Sequence, residues 1–395
     1  MPYFTSVASK HALTSALRLN QLPKGLPAAS SWGANELFAF RVVVEATNAR
    51  ILPYFADESV SNHTLVGSNT ALLELVQPAP PDLPMHVETD LATICGPTLG
   101  QFWAALADVV AGGQGQDFLG LEDGHAGHVT EGEKEIGDGD IASSPEQPPL
   151  KRTRKTVEHP DMVDSTQAQF ASSSPHQPSS QVSTEDDAFM PPDDGLDAAR
   201  EIKTERLVTC FLRHILYSVP YEELELRNRL ECRTRLSVGV STQGGWCIRA
   251  EDDGGLRLRL PLRTFLRNGE RAYHRPRLSD SYYVLFEAKK RFQHIREGRP
   301  TISDAWLGQM TAEALAGRLT RKPYYTDPNI FVIAAARHFI CFLQFNISDE
   351  YLCDVEKEEP QLTLPVTSTC WLDLNDPMDR KIAVVNVLGL VELSG

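Results

Sequence analysis

The feature that most restricts the fold is an abrupt change of composition in the first half of the chain. Residues 112–200 carry 18 acids and 6 bases, a net charge of −12 over 89 residues. The flanks differ: 1–111 carry 9 acids and 5 bases, and 201–395 carry 26 and 27. Within the acidic block Gly, Asp and Glu dominate from Gly112 to Asp140, and Ser, Pro and Gln from Ser143 to Pro192. Such a segment buries too little apolar area to offset the entropy of ordering its backbone. Residues 112–196 are therefore expected to be a disordered acidic linker. Folding is left to a small N-terminal α/β module at 1–111 and a larger domain at 197–395. No fixed-period repeat is visible, which excludes solenoids and propellers.

Several function classes fall away at once. The longest apolar run, Ile330 to Ala336, stops at Arg337, far short of the ~20 residues a membrane span needs. Seven cysteines, scattered and never in a CxxC pair, argue against a disulfide scaffold or a cysteine zinc site and for a reducing compartment. The first acidic residue is Glu36, preceded by Lys10, Arg18 and Lys24 among Ser, Thr, Ala and Leu. That composition fits a mitochondrial presequence loosely, and no apolar block follows to make a secretory signal. Gly239-Val-Ser241 lacks the rest of a nucleophile elbow, the glycines of 112–120 lack Rossmann spacing, and no HExxH occurs.

In the N-terminal flank, Asn35 can cap an element through Glu36–Glu45 whose valine run reads equally well as strand. Pro97 suits the first position of a helix bearing Leu99, Phe102, Trp103, Leu106 and Val110 at helical spacing. In the C-terminal flank the apolar spacing predicts a helix over Asp197–Val219, with Ile202, Leu207, Phe211, Leu212 and Ile215 on one side. Strands follow at Arg233–Thr242, Trp246–Ala250 and, after an Asp-Asp-Gly-Gly turn, Leu256–Leu262. Further strands are expected at Tyr282–Lys289, Ile330–Ala336 and Phe339–Ile347, a helix capped by Asp304 over Ala305–Leu319, and an extended stretch at Ile382–Leu390. This order is α/β around a mixed sheet flanked by helices.

The most informative stretch is Tyr282-Tyr-Val-Leu-Phe-Glu-Ala-Lys289. Side chains alternate along a strand, so Glu287 and Lys289 leave one face about 7 Å apart while Phe286 and Ala288 leave the other. A carboxylate and an ammonium side by side suit phosphodiester hydrolysis. Glu287 would be a hard oxygen ligand for Mg²⁺ or Mn²⁺, and Lys289 would position water and offset charge on phosphorus.

With that strand, the following helix carrying Gln309 and Glu313, and the preceding helix carrying Glu201 and Glu205, residues 197–350 resemble the PD-(D/E)XK nuclease superfamily. The long insert gives the chain the look of uncharacterised fungal members. The resemblance implies a restriction-endonuclease-like fold, a magnesium-dependent nuclease activity, Glu287 and Lys289 as catalytic residues, Gln309 as a supporting polar group, and a second acid near the metal. Asp280 is the provisional choice for that acid. On a continuous strand, however, it would stand about 23 Å from Glu287, so a bulge near Ser281–Tyr283 or a different acid, Asp252 or Asp253, must be weighed beside it.

Charge agrees with a nucleic-acid partner, DNA or RNA. From Arg227 to Arg299 there are 17 bases and 8 acids. Arg257, Arg259, Arg263, Arg275, Arg277, Lys290 and Arg291 are the candidate phosphate contacts. Lys151, Arg152, Arg154 and Lys155, a basic block within the acidic insert, suit a nuclear-import receptor. The alternatives are a nuclease fold without activity that binds nucleic acid, and an interaction protein working through its acidic segment.

Overall fold

The computed structural model describes residues 18–45, 49–57, 59–114, 194–219, 229–259, 265–267, 270–272, 278–289, 294–296, 299–321 and 327–393. Most of the expected linker, including Lys151, Arg152, Arg154 and Lys155, lies outside them. In chain order the elements are α1 (Ala34–Ala39), β1 (Val42–Glu45), α2 (Ser59–Ser68), α3 (Thr70–Leu75), α4 (Glu88–Cys95), α5 (Pro97–Gln114) and α6 (Asp194–Ser218). Then come β2 (Arg229–Ser241), β3 (Cys247–Arg259), β4 (Phe265–Arg267), β5 (Glu270–Ala272), β6 (Leu278–Lys289), β7 (His294–Arg296) and β8 (Arg299–Thr301). The chain continues through α7 (Asp304–Thr320), β9 (Asn329–Ala336), β10 (Phe339–Asn346), α8 (Asp349–Asp354), β11 (Leu364–Ser368), β12 (Leu372–Asp373) and α9 (Pro377–Glu392).

The main sheet is mixed and runs β1-β11-β10-β9-β6-β3-β2, with β12 on β10. At its centre β6 and β9 are parallel, Glu287 opposite Ala334 and Lys289 opposite Ala336. All eight residues of β9 are buried, as a strand covered on both faces requires. Alternation sorts its side chains: Phe331, Ile333 and Ala335 join one core with α5, α6 and α9, while Ile330, Val332 and Ala334 join the other with α1 and α7. On β6 the same rule sends Phe286 and Ala288 to the α6 side and Leu285 to the α7 side. Glu287 and Lys289 share the parity of Leu285, so they face α7.

Three local expectations are corrected. Residues 251–255 are not a hairpin turn, because β3 runs through them. The two glycines serve close approach instead: a Cβ on Gly255 would collide with the Val284 carbonyl oxygen, and one on Gly254 would lie 2.9 Å from the Phe286 ring. The stretch 382–390 is helical and not extended. Its valines read as strand, but Pro377 at the first turn and the Asp376 side chain accepting from the Asp379 amide start a helix buried on most sides. At α1 the cap is Gly33, whose amide donates to Glu36, and Asn35 lies inside the helix.

The N-terminal segment joins the main sheet. β1 pairs in parallel with β11, Val42 opposite Leu364. The Tyr351 hydroxyl donates to the Phe40 carbonyl at 2.6 Å, and Asn386 binds the Leu52 amide and the Arg50 carbonyl. The described residues on the two sides of the insert thus belong to one compact unit. Among the described residues no helix is long and apolar enough to cross a membrane.

Candidate functional site

The site forms where β3 and β6 part. Their ladder runs from Arg259 opposite Leu278 to Gly254 opposite Phe286, whereas the β6–β9 ladder continues to Lys289. The Ala288 amide on the β3 side therefore needs another acceptor. Asp253 supplies it, with Oδ2 at 2.9 Å from the Ala288 nitrogen. An acid from β3 is thereby fixed beside the residue that separates Glu287 from Lys289.

On the α7 face the arrangement is sealed. Glu287 is 1% exposed, and its Oε1 accepts from Lys289 Nζ at 2.5 Å. Lys289 donates also to Gln309 Oε1 at 3.0 Å, and Gln309 Nε2 donates to Glu313 Oε1 at 3.0 Å. An ammonium has only donors, so it faces the amide oxygen and leaves the amide nitrogen to Glu313. Glu287 Oε2 and Glu313 Oε2 are buried without a hydrogen-bond partner among the described residues. Burial, with Asp253 adding to it, pushes Glu287 up to about 8 against the pull of Lys289. Burial and then Glu287 raise Glu313 as well. For Lys289 burial works against the charged form, but Glu287, Glu201 and Asp253 outweigh it and raise its pKa.

On the α6 face the arrangement is more open. Glu201 and Glu205, one helical turn apart, present carboxylate oxygens that lie with one of Asp253 within 4.8 Å of one another. All three are partly exposed, and three oxygen donors without His or Cys form a hard-cation set. Arg235 on β2 sits among them, its Nη2 3.0 Å from Glu205 Oε1 and 2.8 Å from Asp253 Oδ1. Burial and the Asp253 charge raise the Glu205 pKa, with Arg235 opposing. A cleft of about 700 Å³ opens here, lined by Glu205, Arg206, Arg213, Arg235 and Asp253 among others. Ile202, expected on the buried side of its helix, is 63% exposed and lines this cleft.

Among the residues expected at the site, the structure brings together Glu287, Lys289 and Gln309. It does not bring Asp280 to them. Asp280 lies on β6 between Leu278, opposite Arg259, and Tyr282, opposite Arg257, so it stands at the far half of β3 from Asp253. The ladder does shift register in that region, yet the shift leaves Asp280 at that far end. Asp252, the other alternative, is engaged elsewhere: its two oxygens accept from Arg233 Nη1 and Nη2 at 2.6 and 2.7 Å. Burial first, opposed by Arg233, pushes Asp252 up to about 6.

The expected basic contacts are described only in part. Arg257 lies 3.7 Å from Glu231 in a half-exposed ion pair, and Arg259 ends β3 opposite Arg229. Arg263, Arg275, Arg277, Lys290 and Arg291 lie outside the described residues. Sequence reasoning missed the roles of Arg235 and Glu313. An arginine at alternate strand positions (Arg233, Arg235) and a Gln-x-x-x-Glu spacing on one helix face were the signals available. No protein-family model matches the chain, and no curated protein matches it either.

Proposed function

We propose that the chain is a metal-dependent phosphodiester hydrolase acting on nucleic acid, with a restriction-endonuclease-like core of the PD-(D/E)XK type. The observation that carries this reading is Asp253 held on the Ala288 amide, the residue between the paired Glu287 and Lys289, at the strand end where β3 leaves β6. Its position at the carboxyl ends of two parallel strands is where open α/β sheets take their ligands. The donor set fits Mg²⁺ or Mn²⁺: Glu201, Glu205 and Asp253, whose oxygens converge within 4.8 Å, would hold the ion, with Glu287 beside them. The orphaned Glu287 Oε2 is a buried oxygen that such an ion would satisfy. When bound, the ion supplies Lewis-acid polarisation of a phosphate and acidifies a water.

The chain's own residues do the remainder. Lys289, aimed by Glu287 and Gln309, keeps a third N–H to position the attacking water and to offset charge growing on phosphorus. Gln309, gripped by Glu313, keeps that lysine from swinging away. The basic residues between Arg227 and Arg299 support a nucleic-acid substrate, DNA or RNA. A nuclear setting, reached through an import receptor reading Lys151–Lys155, belongs to the same proposal.

The test is hydrolysis of DNA and RNA by the purified full chain with Mg²⁺ or Mn²⁺, beside Glu287→Ala, Lys289→Ala and Asp253→Ala. Each substitution is expected to cost about 10²–10³-fold in rate. Activity that survives all three removes the assignment.

One observation favours a second reading, a nuclease fold that binds nucleic acid without cutting it: Arg235 already neutralises two of the three clustered acids. That reading expects salt-sensitive nucleic-acid binding and no rise in Tm with Mg²⁺.

A further inference from the structure

We propose that Arg235 couples cation binding to phosphate binding at this site: its guanidinium closes the acid cluster in the free protein and passes to a phosphodiester of the nucleic acid as a divalent ion takes its place. The inference rests on the hydrolase reading and adds to it the residue that links its two ligands.

The geometry shows why the guanidinium and an ion exclude one another. A single nitrogen, Arg235 Nη2, bonds both Glu205 Oε1 and Asp253 Oδ1, while Nη1 lies 3.7 Å from Glu251. Those carboxylates include two of the three whose oxygens converge within 4.8 Å. A divalent ion among them needs the same lone pairs and repels the same positive charge. Glu287, whose buried Oε2 has no hydrogen-bond partner among the described residues, lies within electrostatic reach of Asp253 and Glu201, so a cation beside Asp253 would also act on that oxygen.

Arg235 is also built to leave. Its side chain is 52% exposed, and an ion pair that open to water is weakly held. Arg233, two residues earlier on the same strand, is the contrast, with 6% exposure and both terminal nitrogens on Asp252. The cleft beside Arg235 is also lined by Arg206 and Arg213. A phosphodiester entering it offers the planar fork of Arg235 a bidentate partner in exchange for its carboxylates. Each ligand then helps the other to bind, and by linkage the effect is equal in both directions.

The experiment titrates Mn²⁺ calorimetrically into the full chain, alone and with a phosphorothioate duplex oligonucleotide that resists cleavage. Wild type, R235Q, R235K and D253A are compared. R235Q, without the competing charge, is expected to bind Mn²⁺ alone about fivefold more tightly than wild type. R235K, which keeps the charge, stays near wild type. The duplex is expected to tighten Mn²⁺ binding to wild type by a similar factor and to leave R235Q unchanged. If R235Q binds Mn²⁺ like wild type and responds equally to the duplex, the coupling is overturned. The hydrolase reading then still stands, provided D253A has lost the ion. If neither wild type nor R235Q binds Mn²⁺, both fall together.

Discussion

Arg233 on β2 and Asp252 on β3 face one another as two forks, 6% and 4% exposed, with both carboxylate oxygens accepting from separate guanidinium nitrogens. Lys289 and Glu287, on neighbouring β6, are 19% and 1% exposed, and one oxygen of Glu287 takes the ammonium while the other has no hydrogen-bond partner among the described residues. Both pairs carry the cost of removing charge from water. The first recovers it through internal bonds and stitches two strands together. The second is left incomplete beside a cluster of acids, the feature on which the proposed metal site rests.

The comparison breaks most visibly under substitution of the scaffold pair. Arg233→Met leaves Asp252 buried and unpartnered by its fork, and is expected to lower unfolding free energy by about 3–5 kcal/mol. Urea denaturation measures this, and a loss below ~1 kcal/mol would make the scaffold role untenable.

Of comparable size is a pH effect at the incomplete pair. The folded-state pKa of Glu287 is raised from 4.5 to about 8. The folded protein therefore binds more protons than the unfolded chain in between, and this contribution, full below about 4.5, is lost as pH rises through about 8. Measured against Glu287→Gln, wild type should lose on the order of 4–5 kcal/mol across that window. Parallel stability curves for the two proteins would show that Glu287 does not titrate there.

A smaller effect sharpens how the acids are brought together. Gly255→Ala forces β3 away from the Val284 carbonyl and should cost about 1–3 kcal/mol. It should also reduce Mn²⁺ affinity, because Asp253 lies two residues away on the strand that must shift. The smallest effect is expected at Glu313, whose pKa is raised by burial and whose carboxyl holds Gln309. Glu313→Gln should leave stability within about 1 kcal/mol of wild type. Glu313→Leu, which removes the acceptor that Glu313→Gln keeps, should under the proposed hydrolase reading slow hydrolysis severalfold, read from initial rates at saturating metal.

Much of the scaffold was legible without coordinates. The run from Tyr282 to Lys289 announced a strand with Glu287 and Lys289 on one face, and the helix after it carried Gln309 to the lysine, because alternation and helical period are local properties. The second acid was not legible in the same way. Asp252-Asp-Gly-Gly255 has the composition of a turn, and the reason it is a strand lies in another strand: the glycines admit the Val284 carbonyl and the Phe286 ring. Residues 382–390 misled for a related reason, since a valine-rich run takes its form from the cap before it and the packing around it.

By itself the sequence determined the class of the fold, the strand bearing the acid and the amine, and the helix that supports them, since each is written in neighbours a few residues apart. The tertiary structure alone decided which carboxylates gather there and which arginine closes them. Asp253 reaches the Ala288 amide, and Glu205 reaches Arg235, across separations of 35 and 30 residues. Electrostatic partners at such distances are chosen by where strands diverge and how a helix lies on a sheet, and no local pattern records that.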